Sequence, residues 1–395
     1  MLSTIVRNIT PSATVELDGT VRAMKEAGLD VVSLNIGEPD FKSAAVIRQA
    51  CKDALDACKT TYVNVSGIIE LRKAICDKLK NDNQVSYAPD QICVSTGAKQ
   101  AVFNAVMAVT DPGSEVIIPT PSWVSYVEIV KLAGGIPICV PTQRQDHQLD
   151  IEAIKAAISD KTAAILINTP NNPTGAVYSR EILCQVAELA IKNDLIVITD
   201  EVYEKFVYRD AKHCCIASLS NEVYDRTIVI NGFSKAYCMT GWRIGYTAAP
   251  TRYAQGIRAL QGHVTSNSTS FAQWGALEAL KQGDTIFKEM IAEFEQRQEY
   301  AYQRLKCIPN IGCGKVDGAF YLLPDVSAYY GKRYKEYIIN NSIDLCNYIL
   351  KEYRTAMVPG SAFFAPNHVR ISYTNSMEQI REGFNRLEMG LEKLG

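Results

Sequence analysis

Seven short apolar runs, most of them separated by a helical pattern, occupy the middle of this chain and leave it few possible folds. They are Gln91–Ser95, Glu115–Pro119, Ile136–Val140, Ala163–Asn168, Leu195–Thr199, Thr227–Ile230 and Gly245–Ala248. Helical periodicity fills Lys99–Thr110, Ser122–Leu132, Ile151–Ala157 and Arg180–Asn193. Alternation of this kind predicts an α/β fold, with a mostly parallel seven-stranded sheet covered on both faces. A long helical pattern follows over Thr285–Lys306, then strand candidates at Ala319–Leu323, Thr355–Val358 and Val369–Tyr373, and a last helix from Met377. The expected organisation is a large domain over residues 45–284 and a smaller, discontinuous α+β domain from residues 1–44 and 285–395.

Composition narrows the function classes. The net charge is −2 and no basic stripe is present, which argues against a nucleic-acid partner. No apolar run approaches the roughly 18 residues that span a bilayer. The opening residues lack the apolar core of a secretory signal, so a cytoplasmic location is expected. Twelve cysteines fit that expectation as free thiols. Cys51, Cys58, Cys76, Cys184 and Cys346 fall in helical patterns, and Cys93 and Cys139 in apolar strands. His213 beside Cys214-Cys215 does not match zinc-ligand spacing, and no metal is expected. No G-x-G-x-x-G follows the first strand, which disfavours a dinucleotide-binding domain.

The chemistry concentrates at strand ends, where open α/β sheets place their ligands. Lys235 follows the run Thr227–Ile230, and Arg243 comes eight residues later, flanked by Gly241 and Gly245. Gly97-Ala98-Lys99 closes another strand and opens a helix, whose first-turn N–H groups suit a phosphate. Asp200 ends the run Leu195–Thr199, where a carboxylate either caps a turn or meets a cation. A nucleophilic lysine with a nearby arginine for a phosphate is what pyridoxal phosphate requires.

Seven motifs then occur in a familiar order: Asn35-Ile-Gly-Glu-Pro-Asp40, Tyr62, Ser95-Thr-Gly-Ala-Lys99, Pro170-Asn-Asn-Pro-Thr-Gly175, Asp200-Glu-Val-Tyr203, Lys235 with Arg243, and Val369-Arg370. Together they resemble the class I, fold-type-I pyridoxal phosphate aminotransferases, and within them the bacterial β-subgroup aspartate aminotransferases. The resemblance implies that Lys235 holds pyridoxal 5'-phosphate as a Schiff base and moves the substrate's α-proton, with Asp200 and Tyr203 as catalytic partners. It assigns the phosphate to Gly97, Ala98, Lys99, Ser234 and Arg243. Tyr62 would reach the phosphate of a neighbouring subunit, making a homodimer with shared sites. Asp200 would pair with the pyridine nitrogen, Asn172 and Tyr203 with the phenolic oxygen, and Trp123 would stack on the ring. The family often has serine where this chain has Gly232, which removes one expected hydroxyl.

Substrate recognition follows the same resemblance. Arg370 would clamp the α-carboxylate, since a guanidinium fork matches a carboxylate bidentately. Gly37, Trp123 and Asn172 would line the substrate. Ser12 and Thr14, in Pro11-Ser-Ala-Thr14, and Lys99 would take the distal carboxylate. The expected reaction is reversible amino transfer from aspartate to 2-oxoglutarate. The same Lys–Thr pair occurs in relatives that transaminate prephenate, so a prephenate or aromatic aminotransferase is the alternative. A carbon–sulfur lyase, an oxidase or a non-enzymatic regulator on this scaffold stands behind both.

Overall fold

In the computed structural model, which describes residues 2–395, the seven apolar runs form one sheet. Its strands are β1 (Ile92–Ser95), β2 (Glu115–Thr120), β3 (Ile136–Pro141), β4 (Thr162–Asn168), β5 (Ile196–Asp200), β6 (Thr227–Gly232) and β7 (Gly245–Ala248). Their spatial order is β1-β7-β6-β5-β4-β2-β3. β7 is antiparallel to β1 and β6, and the remaining pairs are parallel.

Both faces are buried, which is why the strands read as continuous apolar runs. Side chains alternate across the sheet. Val116, Ile118, Leu166, Ile198 and Ile228 pack on one face with helices Ala98–Val109 and Ser125–Leu132. Ile117, Ile165, Ile167 and Val197 pack on the other with helices Ile151–Ala157 and Arg180–Lys192. Asp150 and Ser179 start the latter two helices by accepting the backbone N–H groups of Ala153 and Ile182. The pattern Ser122–Leu132 becomes helical only from Ser125, and the Ser122 N–H is drawn instead to the Phe363 carbonyl.

Beyond the sheet, helix Lys288–Cys307 starts later than the pattern Thr285–Lys306, after a 3-10 turn over Gly283–Ile286. The expected strand Thr355–Val358 divides in two. Thr355–Ala356 pairs in parallel with Val32–Ser33, whereas Val358–Pro359 joins Val369–Ser372 and Tyr321–Leu322 in an antiparallel sheet. The segment before residue 45 is thus tied to the last part of the chain. Leu34 and Val32 also press on Gly383 of helix Met377–Glu392, where a Cβ would come within 2.8 Å of Leu34 Cδ1.

Cys139 lies in the strand expected for it, and Cys58 departs from its expected helix. Cys139 is exposed because β3 is an edge strand. Cys58 is exposed in a left-handed turn (φ 53°) after helix Ala45–Asp56 has ended. All twelve thiols are free. Among the described residues no helix is long and apolar enough to cross a membrane.

One close approach fixes the sheet's functional edge. Gly245 of β7 lies opposite both Gly232 and Ser95. A Cβ on Gly245 would collide with the backbone of Gly97 and Ala98, and one on Gly232 would sit 3.2 Å from the Gly245 Cα. The serine that relatives often carry at the Gly232 position would be tight here. Overpacking of this kind costs about 1–3 kcal/mol. Gly245→Ala should therefore lower the urea midpoint at unchanged m-value, and a midpoint equal to wild type would show that the helix start shifts freely.

Candidate active site

Parallel pairing levels the strand ends: Asn168 of β4 faces Asp200 of β5, which faces Ile230 of β6. Along this edge lies a cavity of about 490 Å³ lined by Thr14, Gly37, Ala98, Lys99, Trp123, Asn172, Asp200, Tyr203, Ser234, Lys235, Arg243 and Arg370, all expected from sequence. It also takes in Asn35 and Glu38, which the motif Asn35–Asp40 contained without a role assigned to them, and Asp18, Tyr126, Asn168, Thr240 and Tyr321, which sequence reasoning missed. Three expected residues lie outside the lining. Ser12 bonds the Thr14 hydroxyl at 3.0 Å. Gly97 sits beneath Arg243, where a Cβ would run into the guanidinium. Tyr62 is 89% exposed on the single chain.

The anchors of each side chain follow from the strand ends. Lys235 leaves the end of β6, and its Nζ donates to the Gly37 carbonyl at 2.7 Å. Gly37 must be glycine, because a Cβ would lie 2.7 Å from the Tyr321 hydroxyl. That hydroxyl meets the Tyr203 hydroxyl at 2.9 Å. Buried Arg370 donates to Asn172 Oδ1 at 3.1 Å and to the Asn35 carbonyl at 2.6 Å, leaving its buried Nε without a partner. Its guanidinium stacks on Tyr321 and Phe363. Asn172 is fixed in turn, its N–H donating to Asn168 Oδ1 at 2.8 Å. Asp200 is buried and accepts from the Tyr126 hydroxyl at 2.8 Å and from the Val202 N–H at 3.2 Å. Its role as a local cap and its place in the cavity therefore coexist.

Electrostatics sets the character of this cavity. Lys99, Lys235, Arg243 and Arg370 converge on it, and among the described residues none of them makes an ion pair. Burial pushes the Lys235 ammonium down to about 8, aided by Arg370 and Arg243 and opposed by Glu38. Lys99 is also lowered, by desolvation and then by Arg243, although its side chain reaches solvent on the single chain. Arg370 is lowered by burial. Burial raises Asp200 to about 6, with Tyr126 and Val202 holding it back. Helix Ala98–Val109 starts here with Gly97 at φ 81° and no side-chain cap, so its first-turn donors are not claimed by a side chain. Converging cations, an uncapped helix start and an orphaned guanidinium nitrogen suit a ligand with several anionic groups.

Behind the turn that carries Asp200 and Tyr203 lies a second charged group. Glu201, Glu204 and His213 bring ligand-type atoms within 4.8 Å of one another. Their oxygens already have partners: Lys78 pairs with Glu204, Asn83 donates to Glu204 at 2.7 Å, and the His213 ring meets Glu201 at 3.0 Å. Against burial, which raises it, Lys78 and His213 hold Glu204 at about 2.

The family model "Aminotransferase class I and II" matches residues 29–387. The chain belongs to this aminotransferase family. A probable aspartate/prephenate aminotransferase of Aquifex aeolicus is 43% identical, over 100% of this chain and 99% of the relative. An aspartate aminotransferase of Bacillus sp. (strain YM-2) is 42% identical over 98% of each chain. The crystal structure of the Rhizobium meliloti aspartate aminotransferase superposes with a TM-score of 0.96 at 35% identity, covering 100% of both chains.

For this aminotransferase a depressed lysine is a measurable property. In ligand-free protein, acylation of Lys235 read by mass spectrometry should rise steeply toward pH 8 and then level off. Lysines near the ordinary value of about 10.4 continue to gain reactivity well above that. A Lys235 profile that follows the ordinary lysines would contradict the burial effect.

Proposed function

We propose that this aminotransferase uses pyridoxal 5'-phosphate to move the amino group of L-aspartate to 2-oxoglutarate. The observation on which this rests is the set of four cations without ion pairs around one cavity. Asp18, Glu38 and Asp200 line the same cavity without pairing with these cations, so a cofactor phosphate and two substrate carboxylates would supply the partners they lack, and unmatched buried charge is costly. The names of the Aquifex and Bacillus relatives support the dicarboxylate. The first of these also favours a second reading, with prephenate as a further acceptor.

The donor set fits the cofactor. Its phosphate would take the helix start at Ala98 and Lys99 with Ser234 and Arg243, and its ring nitrogen would take Asp200. Its phenolic oxygen would take Asn172 and Tyr203, and Trp123 would cover its ring. When bound, the cofactor supplies an electron sink for the bond broken at the substrate's α-carbon.

The chain's own residues do the rest. Arg370 binds the α-carboxylate with the fork that Asn172 and the Asn35 carbonyl hold in place. Lys99 and Thr14 take the distal carboxylate, and Trp123 sits under the Lys99 ammonium at 4.9 Å. Lys235 Nζ, whose ammonium burial pushes down to about 8, takes the α-proton and returns it as general base and acid. The Tyr203–Tyr321 hydroxyl pair closes the wall beside it.

Three wider assignments accompany the reaction. Residues 45–284 form the cofactor domain, and residues 1–44 with 285–395 form the smaller domain; the pairing of Val32 with Thr355 supports that division. Twelve free thiols support a reducing, cytoplasmic location. The exposed Tyr62 supports a homodimer in which each chain completes its partner's site.

An amino-donor screen with 2-oxoglutarate, run on wild type and Lys99→Ala, tests the substrate. Truncating one member of a charge pair costs about 2–5 kcal/mol, so kcat/KM for aspartate should fall at least about tenfold. A neutral aromatic donor should lose much less. Equal losses would assign Lys99 to the cofactor or the fold instead.

The shared site is tested by mixing inactive chains. Tyr62→Ala and Arg370→Ala should each be impaired alone, while hybrids of the two regain activity through one intact site per dimer. No recovery in demonstrated hybrids, or full activity in a monomer, would overturn the sharing.

A further inference from the structure

Tyr126 is buried at the foot of the cavity, and neither its type nor its spacing drew attention to it. Helix Ser125–Leu132 carries it to the end of β5, where its hydroxyl donates to Asp200 Oδ2 at 2.8 Å. The other oxygen, Oδ1, accepts only the Val202 N–H at 3.2 Å. Among the described residues Tyr126 is the one side chain that donates to this carboxylate. The same ring packs edge-on against Trp123, with centroids 5.3 Å apart and an interplanar angle of 87°. One side chain therefore touches both the carboxylate and the aromatic plane assigned to the cofactor ring.

We propose that Tyr126 is a positioning residue that keeps the Asp200 carboxylate ionised and turned so that its free lone pairs meet the cofactor's ring nitrogen. This rests on the cofactor assignment made above. A carboxylate offers about four lone-pair directions. Tyr126 and Val202 occupy two, and the remainder are available to the cavity that Asp200 lines. The charged groups facing Asp200 are Glu201 on its own turn, which disfavours ionisation, and Lys235 across the cavity, which favours it. Tyr203, on the same turn as Asp200, adds no charge as a neutral phenol, because burial holds it well above the ordinary phenol value, and Tyr178 approaches Tyr126 rather than the carboxylate. Burial raises the acid and the Tyr126 hydrogen bond is the largest force holding it down. Tyr126 itself is pushed well above the ordinary phenol value by burial and by Asp200, so it remains a donor over the working pH range. An Asp200 that picked up a proton could no longer hold the ring nitrogen protonated.

Tyr126→Phe removes the hydroxyl and leaves the ring against Trp123, so near-UV circular dichroism should match wild type. In the apoprotein the Asp200 carboxyl, followed by infrared or carbon NMR after labelling, should titrate about one pH unit higher, the tenfold effect of one charge-assisted hydrogen bond. The dissociation constant for pyridoxal 5'-phosphate, read by fluorescence quenching, should rise about tenfold. In an Asp200→Asn background the same substitution should change that constant less than about twofold, since the coupled partner is gone. Incorporating 3-fluorotyrosine at position 126, a stronger donor of nearly the same size, should shift the titration the opposite way. An unchanged titration, or equal losses of affinity in both backgrounds, would overturn the positioning role. Failure of the wild-type protein to bind the cofactor would instead overturn the cofactor assignment.

Discussion

The register of the parallel ladder is the constraint on which the site depends. Because Asn168, Asp200 and Ile230 lie side by side, the chain leaves β4, β5 and β6 at one level. Each exit delivers one functional group: Asn172, Asp200 with Tyr203, and Ser234 with Lys235. β7 enters at the same edge, and its Gly245 allows the start of helix Ala98–Val109 to press against it. A slip of one residue in any of these pairings would turn every side chain of that strand to the opposite face. The burial of both faces makes such a slip costly, so the geometry of the cavity is secured by residues that never touch it.

That rigidity lets the molecule keep charges where they are useful to chemistry. Among the described residues the four cavity cations make no ion pair, while behind the turn Glu204 is paired with Lys78 and held by Asn83, and Glu201 is hydrogen-bonded to His213. Different residues of the short turn 200–204 thus serve opposite ends. Asp200 and Tyr203 face the cavity, and Glu201 and Glu204 face a closed ion network that fastens the turn to helix Ile69–Asp82. The anchored side stabilises the fold, and the open side is left to be completed by ligand.

Much of this was legible in the sequence, for physical reasons. All seven sheet strands were readable because burial on both faces leaves an uninterrupted apolar run. The strand-end residues were readable because their types are unusual there, and because the motif order resembles the family. What escaped was what depends on contacts far apart in the chain. Tyr126 meets Asp200 across 74 residues, and Tyr321 meets Tyr203 across 118. A tyrosine in a helix carries no local mark of such a bond. The exposure of Cys139 follows from the edge position of β3, and strand order is not written in any one strand's pattern. Asp18 enters the cavity only because its helix folds over Asn35, whose amide donates to it.

The bond between Arg370 and the Asn35 carbonyl spans 335 residues. On the ribosome, Asn35 and Gly37 are made early and must wait while the whole seven-stranded sheet is synthesised. The sheet's own ladders need nothing from Arg370, so they can form first. The early segment finds its parallel partner only when Thr355–Ala356 has emerged. Completion of the carboxylate-binding end is therefore a late event in the life of each chain. A polypeptide that stalls before Thr355 can own a finished sheet while Val32 and Ser33 still lack their parallel partner.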